Sequence, residues 1–315
     1  MFALRGIAVS LSAFVTVYCV LSFSVSLTWR KVRTLSQRQP VRRAAGVLLV
    51  LRMFPLAASI LITVVLAVPS FLLLEPRTIV EPIGGLSLTL GICGIAVVTL
   101  GLGNVSLAIC RASRTISEWM DGAQPVHMPA PLPVLRIPRA IPPMTAVGII
   151  RPRILFSSAA EFLLNANEFQ AAVNHEIAHV NRHDNLRKLL LRFVRFPGMR
   201  ELDEAWLEAT EVAADDAAVS SIGEALDLAA ALIKLCRARP MESPAELTMS
   251  LLHSPVSLVN ARVERLIHWS ARAYPEPAHA RSYAWGFGLG VSVAVALSYG
   301  QLLMAVHDAT EWFVR

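Results

Sequence analysis

The hydrophobic residues of this chain form long apolar blocks, three in its first third and one near its end. Each block supplies the roughly 20 apolar residues that a membrane-spanning helix requires. Apolar runs of this length indicate transmembrane helices rather than buried helices of a soluble domain. The pattern therefore predicts four transmembrane helices, at residues 7 to 28, 47 to 74, 84 to 110 and 283 to 307.

The second apolar block has less certain limits than the others. It contains Arg52 and Pro55 near its start and Pro69 near its end. Proline removes a backbone hydrogen bond and interrupts or kinks a helix. Two interpretations therefore stay open for this span: the full block, or a shorter apolar core from Leu56 to Leu74.

The region between the third and fourth blocks has a different composition. Residues 121 to 282 mix polar and apolar positions and are numerous enough for one compact domain. Its first part, Gly122 to Pro143, is rich in proline and favours an extended linker with a short strand near Pro133 to Ile137. Residues 146 to 156 favour a β-hairpin with its turn at Arg151-Pro152.

Helical patterns follow the predicted hairpin. Asn165 and Glu168 have the spacing of a capping box and predict the start of a first helix. Residues 186 to 196 are basic and amphipathic, and two explanations stay open: a solvated helix face, or contact with an anionic membrane leaflet. Residues 207 to 219 and 225 to 236 predict further helices, the latter too short for a fifth span. We therefore expect a multi-pass α-helical membrane protein with a mainly helical α+β domain inserted between spans three and four.

Composition and charge agree with this architecture and orient it. Of 315 residues, 55% are hydrophobic and only 17% are charged, which excludes an ordinary soluble enzyme. Residues 30 to 43 carry several basic residues and no acid, whereas residues 75 to 82 carry two glutamates and one arginine. The positive-inside rule places the basic loop, and with it the domain at 121 to 282, in the cytoplasm, and the short tail from 308 to 315 outside. Because basic residues at membrane edges explain the net charge of +6, no direct nucleic-acid binding is expected.

The chemically most informative segment is His175-Glu176-Ile177-Ala178-His179, an HExxH sequence inside a helical pattern. Two histidines four residues apart project from one helix face and can reach a single tetrahedral Zn²⁺. The glutamate between them can act on a water molecule as a general base. This combination indicates a zinc hydrolase of the peptidase type.

Such a zinc site needs a third protein ligand. His183 lies about 12 Å along the same helix from His175, at about 1.5 Å per residue, which is too far for one ion. Glu211 lies in the next alanine-rich helical pattern and is the preferred third ligand. Asp215 is four residues beyond Glu211 on the same face, where its carboxylate can accept the second N–H of a ligating histidine. Glu208 and Asp216 are expected to be solvated surface residues.

The segments named above resemble the BlaR/MecR-type membrane zinc metallopeptidases, the antirepressor proteases of antibiotic-responsive signalling. The resemblance is carried by Arg151 to Phe156, Ala172 to Leu186 and Glu211 to Asp215, and it covers the middle half of the chain. It implies a gluzincin-like domain with Glu176 as the catalytic base. It also implies one zinc ion per chain with three ligands: His175, His179 and Glu211.

The resemblance has further implications for function. It implies a multi-pass protein of the bacterial cytoplasmic membrane that transduces an envelope signal. The expected protein substrate is a cytoplasmic transcriptional repressor of the BlaI/MecI type, cleaved directly or lost indirectly. Family members that sense β-lactams carry a penicillin-binding domain after the last span, whereas only a few residues follow the predicted fourth span here. This chain is therefore not expected to sense a drug in that way.

Three further hypotheses remain. An HtpX-type membrane quality-control protease would share the zinc site, although that family places two spans before the motif and usually two after it. A non-catalytic membrane signal transducer would keep the motif without zinc. Within the peptidase hypothesis, the segment around His253-Ser254-Pro255 resembles a downstream segment of related membrane zinc peptidases, which makes His253 a candidate for stabilising the oxyanion.

Overall fold

The structure is a computed structural model that describes most of the chain. The element limits, burial and contacts given below refer only to the part of the chain that the structure describes. The described residues are 2 to 36, 41 to 76, 84 to 139, 143 to 193, 196 to 237, 249 to 250, 256 to 269 and 297 to 311.

Among the first 120 residues, those that the structure describes form long apolar helices. Three helical stretches in the described part of the chain are long and apolar enough to cross a membrane: Phe2–Thr34, Arg43–Leu74 and Gly85–Met120. The second stretch consists of two α-helices joined by a π-helical segment, Thr63–Ala67. The helices are α1 (Phe2–Ser36), α2 (Val41–Ile62), α3 (Val68–Leu74) and α4 (Gly85–Met120).

These helices confirm the predicted positions of the first three apolar spans and extend them. In the second stretch, α2 continues through Pro55, and Pro69 lies in the first turn of α3, where a missing N–H is tolerated. The helical stretch Arg43–Leu74 therefore includes both alternatives for the second span. Most of the predicted fourth span, 283 to 307, lies outside the described residues. The described residues 297 to 311, which include the last part of this span, are helical.

Four strands of a small mixed sheet follow α4 in the sequence, and its fifth strand, at residues 249 to 250, lies between two later helices. Its strand order is β1-β2-β4-β3-β5; β2 and β4 are parallel and the other neighbours are antiparallel. The β3–β4 hairpin confirms the prediction for residues 146 to 156. Gly148 adopts a φ of +89° in its turn, where an added Cβ would lie 2.8 Å from the Arg151 oxygen. The strands are β1 (Gln124–Val126), β2 (Val134–Ile137), β3 (Met144–Val147), β4 (Arg153–Ser157) and β5 (Met249–Ser250).

Six further helices lie between residues 158 and 267 in the described part of the chain, and the first two of them pack against the strands. The capping box predicted from sequence is present, since Asn165 Oδ1 accepts from the Glu168 amide and Glu168 accepts from the Asn165 amide. The helices are α5 (Ser158–Leu163), α6 (Ala166–Asn181), α7 (Asp184–Phe193), α8 (Arg200–Ala218), α9 (Ile222–Arg237) and α10 (Val256–Ile267).

The chain divides into two compact units, each with its own packing. The first comprises residues 1 to 32, 50 to 100 and 273 to 315; within it Gly91 and Gly94 let α4 approach the backbone of α1 at Ala8 and Leu11. The second comprises residues 33 to 49 and 101 to 272. Its main core is built by α6, α9 and the sheet, and α9 buries Leu228, Leu232 and Leu235 completely, as a core helix should.

Candidate metal centre

The HExxH segment lies in the second half of α6. The capping box at Asn165 and Glu168 fixes the N-terminus of this helix. Because α6 packs against α8, α9 and the sheet, this face of the helix is withdrawn from solvent. His175 and Glu176 are fully buried, and His179 is 2% exposed. Three polar side chains buried this deeply require specific partners to offset the loss of hydration.

Glu211 of α8 completes a group of three potential metal ligands. His175 Nε2 lies 3.1 Å from His179 Nε2, and Glu211 contributes Oε2 at 3.6 Å from the first nitrogen and Oε1 at 3.7 Å from the second. One ligand atom from each residue lies within 4.8 Å of the others. These three residues can therefore hold a single metal ion.

Each of the two histidines also contacts a carboxylate through Nδ1, the ring nitrogen that faces away from the three-ligand group. His175 Nδ1 lies 2.9 Å from Asp215 Oδ1, and His179 Nδ1 lies 2.9 Å from Asp184 Oδ2. A carboxylate is an acceptor, so each Nδ1 carries the proton and each Nε2 presents its lone pair to the other. If both rings are neutral, these two lone pairs, 3.1 Å apart in a buried site, repel each other, and a cation between them, either a proton or a metal ion, removes that repulsion.

Asp184 was not singled out by the sequence reasoning. It is fully buried although it begins α7, and the ion pair with Arg182 Nε at 3.3 Å helps to hold its carboxylate. The only signal in the sequence was an acid five residues after the second histidine. The turn that brings it back to His179 is made by His183, which has a positive φ of 56°.

Arg262 of α10 is the second residue that the sequence reasoning missed. Its guanidinium contacts Asp215 through Nε at 2.8 Å and Nη2 at 2.7 Å, and it contacts Glu211 Oε2 through Nη1 at 3.0 Å. Only 3% of Arg262 is exposed, so its charge is buried with these two carboxylates. A buried charge of this kind is retained where carboxylates neutralise it.

The electrostatics of the centre follow from this charge arrangement. Burial by itself raises the pKa of Glu211, but Arg262 and His179 outweigh it and lower the pKa to about 2. Burial likewise opposes protonation of His175, but hydrogen bonds with Asp215 and Glu211 raise its pKa to about 9. Because the pKa of His175 is raised, a metal ion competes with a proton for this imidazole.

Glu176 points from the same helix toward the sheet. The Ala146 amide of β3 donates a hydrogen bond of 2.6 Å to Glu176 Oε2. Burial raises the pKa of Glu176, and although both histidines lower it, the pKa stays above its ordinary value. The Asn185 side chain donates to the Ala146 oxygen at 3.2 Å, so both backbone groups of Ala146 face the centre.

The remaining predicted residues lie elsewhere. Glu208 and Asp216 are outside the ligand group and pair with Arg33 and Arg265. His183 is exposed in the turn after α6, so its predicted position on the surface of a continuing helix is wrong. His253 lies outside the described residues. β3 is paired at Thr145 and Ala146 with β5 of the same chain.

The chain was compared with known proteins. No protein-family model matches it, and no curated protein matches it.

Proposed function

We propose that this protein is a membrane-bound zinc metalloendopeptidase of the BlaR/MecR type. The observation that carries the proposal is the convergence of His175 Nε2, His179 Nε2 and a Glu211 oxygen next to the buried Glu176. Two imidazoles and one carboxylate leave a fourth position of a tetrahedral ion open, which is the ligand set of catalytic rather than structural zinc sites.

The donor set and its spacing support zinc over the common alternatives. Magnesium and calcium prefer sites made of oxygen ligands only. Adjacent ligands of a tetrahedral zinc ion with bonds of about 2.0 to 2.1 Å lie about 3.3 Å apart. The distance of 3.1 Å between the two Nε2 atoms and that of 3.6 Å from His175 Nε2 to Glu211 Oε2 bracket that value.

The mechanism that these residues support is amide hydrolysis. A zinc ion in this site supplies Lewis-acid chemistry, polarising the scissile carbonyl and lowering the pKa of water. Glu176 takes the proton of the attacking water and delivers it to the leaving amine. The Ala146 amide donates to Glu176 Oε2 and fixes the orientation of the carboxylate that carries the proton.

The remaining groups of the chain position the ligands. Asp215 and Asp184 keep both imidazoles in the tautomer that presents Nε2 to the metal. Arg262 compensates the charge of Glu211 and Asp215, which keeps both carboxylates ionised inside the protein.

The substrate we propose is a cytoplasmic repressor protein, and the loss of that repressor is the output of an envelope signal. The arginine-rich segments before the second apolar span and after the third support a cytoplasmic position for the peptidase domain. The test is to co-express a tagged repressor of the BlaI/MecI type with this protein and to follow the repressor by immunoblot under envelope stress. Signal-dependent repressor loss in the wild type and none in Glu176→Ala, at equal expression, is the expected result. Equal decay in both strains would favour a non-catalytic transducer.

A further inference from the structure

Helix α7 is amphipathic and leaves apolar side chains uncovered. Its exposed face includes Leu186 and Leu190, which are 37% and 46% exposed and lie one turn apart. The same helix carries three basic residues. The sequence alone left two explanations for this pattern, a solvated face or contact with a membrane leaflet, and the packing of α7 distinguishes them.

The other face of α7 packs along α4. Leu189 forms an apolar cluster with Ala108 and Ala112 of α4. One turn later, Phe193 covers Gly101, where an added Cβ would lie 2.5 Å from the Phe193 oxygen and 3.2 Å from its ring. As α7 proceeds toward its C-terminus, it therefore moves along α4 toward the apolar half of that helix.

The depth of Gly101 follows from the sequence of α4. The 26 residues from Gly85 to Cys110 carry no charged side chain, and as a helix they extend about 39 Å, whereas the hydrocarbon core of a bilayer is about 30 Å thick. If that core begins at Gly85, it ends near Asn104. If it ends at Cys110, it begins near Gly91. Gly101 lies within the hydrocarbon core in both limits.

We propose that α7 is inserted obliquely into the leaflet from which α4 emerges. Its N-terminus lies at the membrane surface, and Phe193 lies at the depth of the acyl chains. Leu186 and Leu190 then contact lipid, which accounts for their exposure in the isolated chain. Arg192 then extends along the helix to the headgroups, where anionic phospholipids complement its charge, whereas Arg187 contacts Asp184 Oδ1 at 3.4 Å.

This placement has a consequence for the metal centre. Asp184, the first residue of α7, accepts a hydrogen bond from the metal-ligand candidate His179. The ten residues of α7 extend only about 15 Å. The candidate metal centre is therefore held at the membrane surface. The inference depends on α4 crossing a bilayer and does not depend on the proposed peptidase activity.

Fluorescence quenching in reconstituted full-length protein tests the proposal. The four native cysteines are replaced by serine, and a polarity-sensitive fluorophore is attached at Leu190→Cys. The matched control is Leu226→Cys on α9, which is 48% exposed and lies on a helix that packs on α6 and α10. The vesicles contain phosphatidylcholine and phosphatidylglycerol, with a doxyl-labelled lipid or aqueous iodide as the quencher.

We expect the doxyl lipid to quench the probe at 190 at least threefold more than the probe at 226. Iodide should quench the probe at 226 more than the probe at 190. In vesicles of phosphatidylcholine alone, lipid quenching at 190 should fall. Equal lipid quenching at both positions, or stronger iodide quenching at 190, would overturn the proposal. Protection of the probe at position 190 from both quenchers, together with a disulfide between two unlabelled Leu190→Cys chains under oxidation, would also overturn the proposal. That result would identify a second copy of the chain as the partner of α7.

Two glycines of α4 provide a matched pair of variants for the depth argument. Gly101→Ala introduces a methyl group against Phe193, whereas an added Cβ at Gly103 meets nothing within 4 Å. We expect Gly101→Ala to lower lipid quenching at 190 at least twofold and Gly103→Ala to leave it unchanged. Equal quenching at 190 in the two variants would contradict the contact that places α7 at this depth.

Discussion

Asp184 Oδ2 lies 2.9 Å from His179 Nδ1, across the turn that separates two helices. The residue pair links the HExxH helix to α7 and fixes the tautomer of one candidate metal ligand. Asp215 does the same for His175 from α8. The two imidazoles are thus oriented independently, by carboxylates from different elements.

We therefore expect Asp184→Asn to weaken zinc binding about 10- to 100-fold, the range typical for the loss of a carboxylate behind a metal-bound histidine. The amide keeps the size of the side chain but is a poorer acceptor for the Nδ1 proton. Competition with a chromophoric chelator measures the affinity. Asp216→Asn is the control, because Asp216 pairs with Arg265 outside the centre. Equal zinc affinities in the two variants would contradict this role of Asp184.

A second prediction concerns the buried charge of Arg262. Arg262→Met leaves Glu211 and Asp215 without their cation and should destabilise the zinc-free protein by about 3 to 5 kcal/mol. Arg265→Met removes a partly exposed pair and should cost about 1 kcal/mol or less. Thermal unfolding of both variants in detergent gives the comparison. The Arg262→Met defect should shrink when zinc is added, since the ion compensates Glu211; an unchanged defect would indicate that no metal binds there.

The pH dependence of stability should report on Glu168. Burial opposes ionisation of Glu168, but hydrogen bonds from Lys234 and the Asn165 amide outweigh it, so its pKa is lowered on folding. Because the pKa is lower in the folded state, ionised Glu168 stabilises the fold at pH values above the unfolded-state pKa. This stabilisation is lost as the pH falls through the folded-state pKa. Glu168→Gln retains the capping box but loses the ion pair, and it should cost about 1 kcal/mol at neutral pH.

Melting temperatures from pH 7 downward test this prediction. The difference between wild type and Glu168→Gln should be constant near neutrality and vanish in acid. Glu161→Gln, at an exposed pair with Arg136, is the control and should show no such trend. A difference that persists at the lowest pH would mean that Glu168 acts through packing alone.

The turn at His183 predicts a substitution that stabilises the protein, unlike the destabilising substitutions described above. Its positive φ of 56° is unfavourable for a residue with a Cβ and is tolerated by glycine. His183→Gly should therefore stabilise the protein by about 0.5 to 1 kcal/mol, and His183→Val should destabilise it by about 1 kcal/mol. Thermal unfolding of the two variants would show the order; a more stable valine variant would contradict the described turn.

The sequence predicted those parts of the molecule that depend on local patterns. The first three apolar spans, the β3–β4 hairpin and the capping box of α6 each depend on residues close together in the chain. Glu211 was also reached from sequence, because an HExxH site requires a third ligand and a helix with suitably spaced acids follows.

The parts that the sequence did not predict depend on contacts between distant segments. Arg262 lies 47 residues from Asp215, and its pattern is that of any surface arginine. Asp184 is close in sequence to His179, but only the turn at His183 directs its carboxylate back to the imidazole. The pairing of β5 with β3 likewise has no signal in its two residues.

The zinc content of the purified protein tests the central claim most directly. Wild type, Glu176→Ala and Glu211→Ala are purified in parallel, loaded with zinc, dialysed against a weak chelator and measured by mass spectrometry of the metal. The predicted result is one zinc per chain in the wild type and in Glu176→Ala, and at least a tenfold loss in Glu211→Ala. Full zinc occupancy in Glu211→Ala, or no zinc in the wild type, would contradict a centre formed by His175, His179 and Glu211.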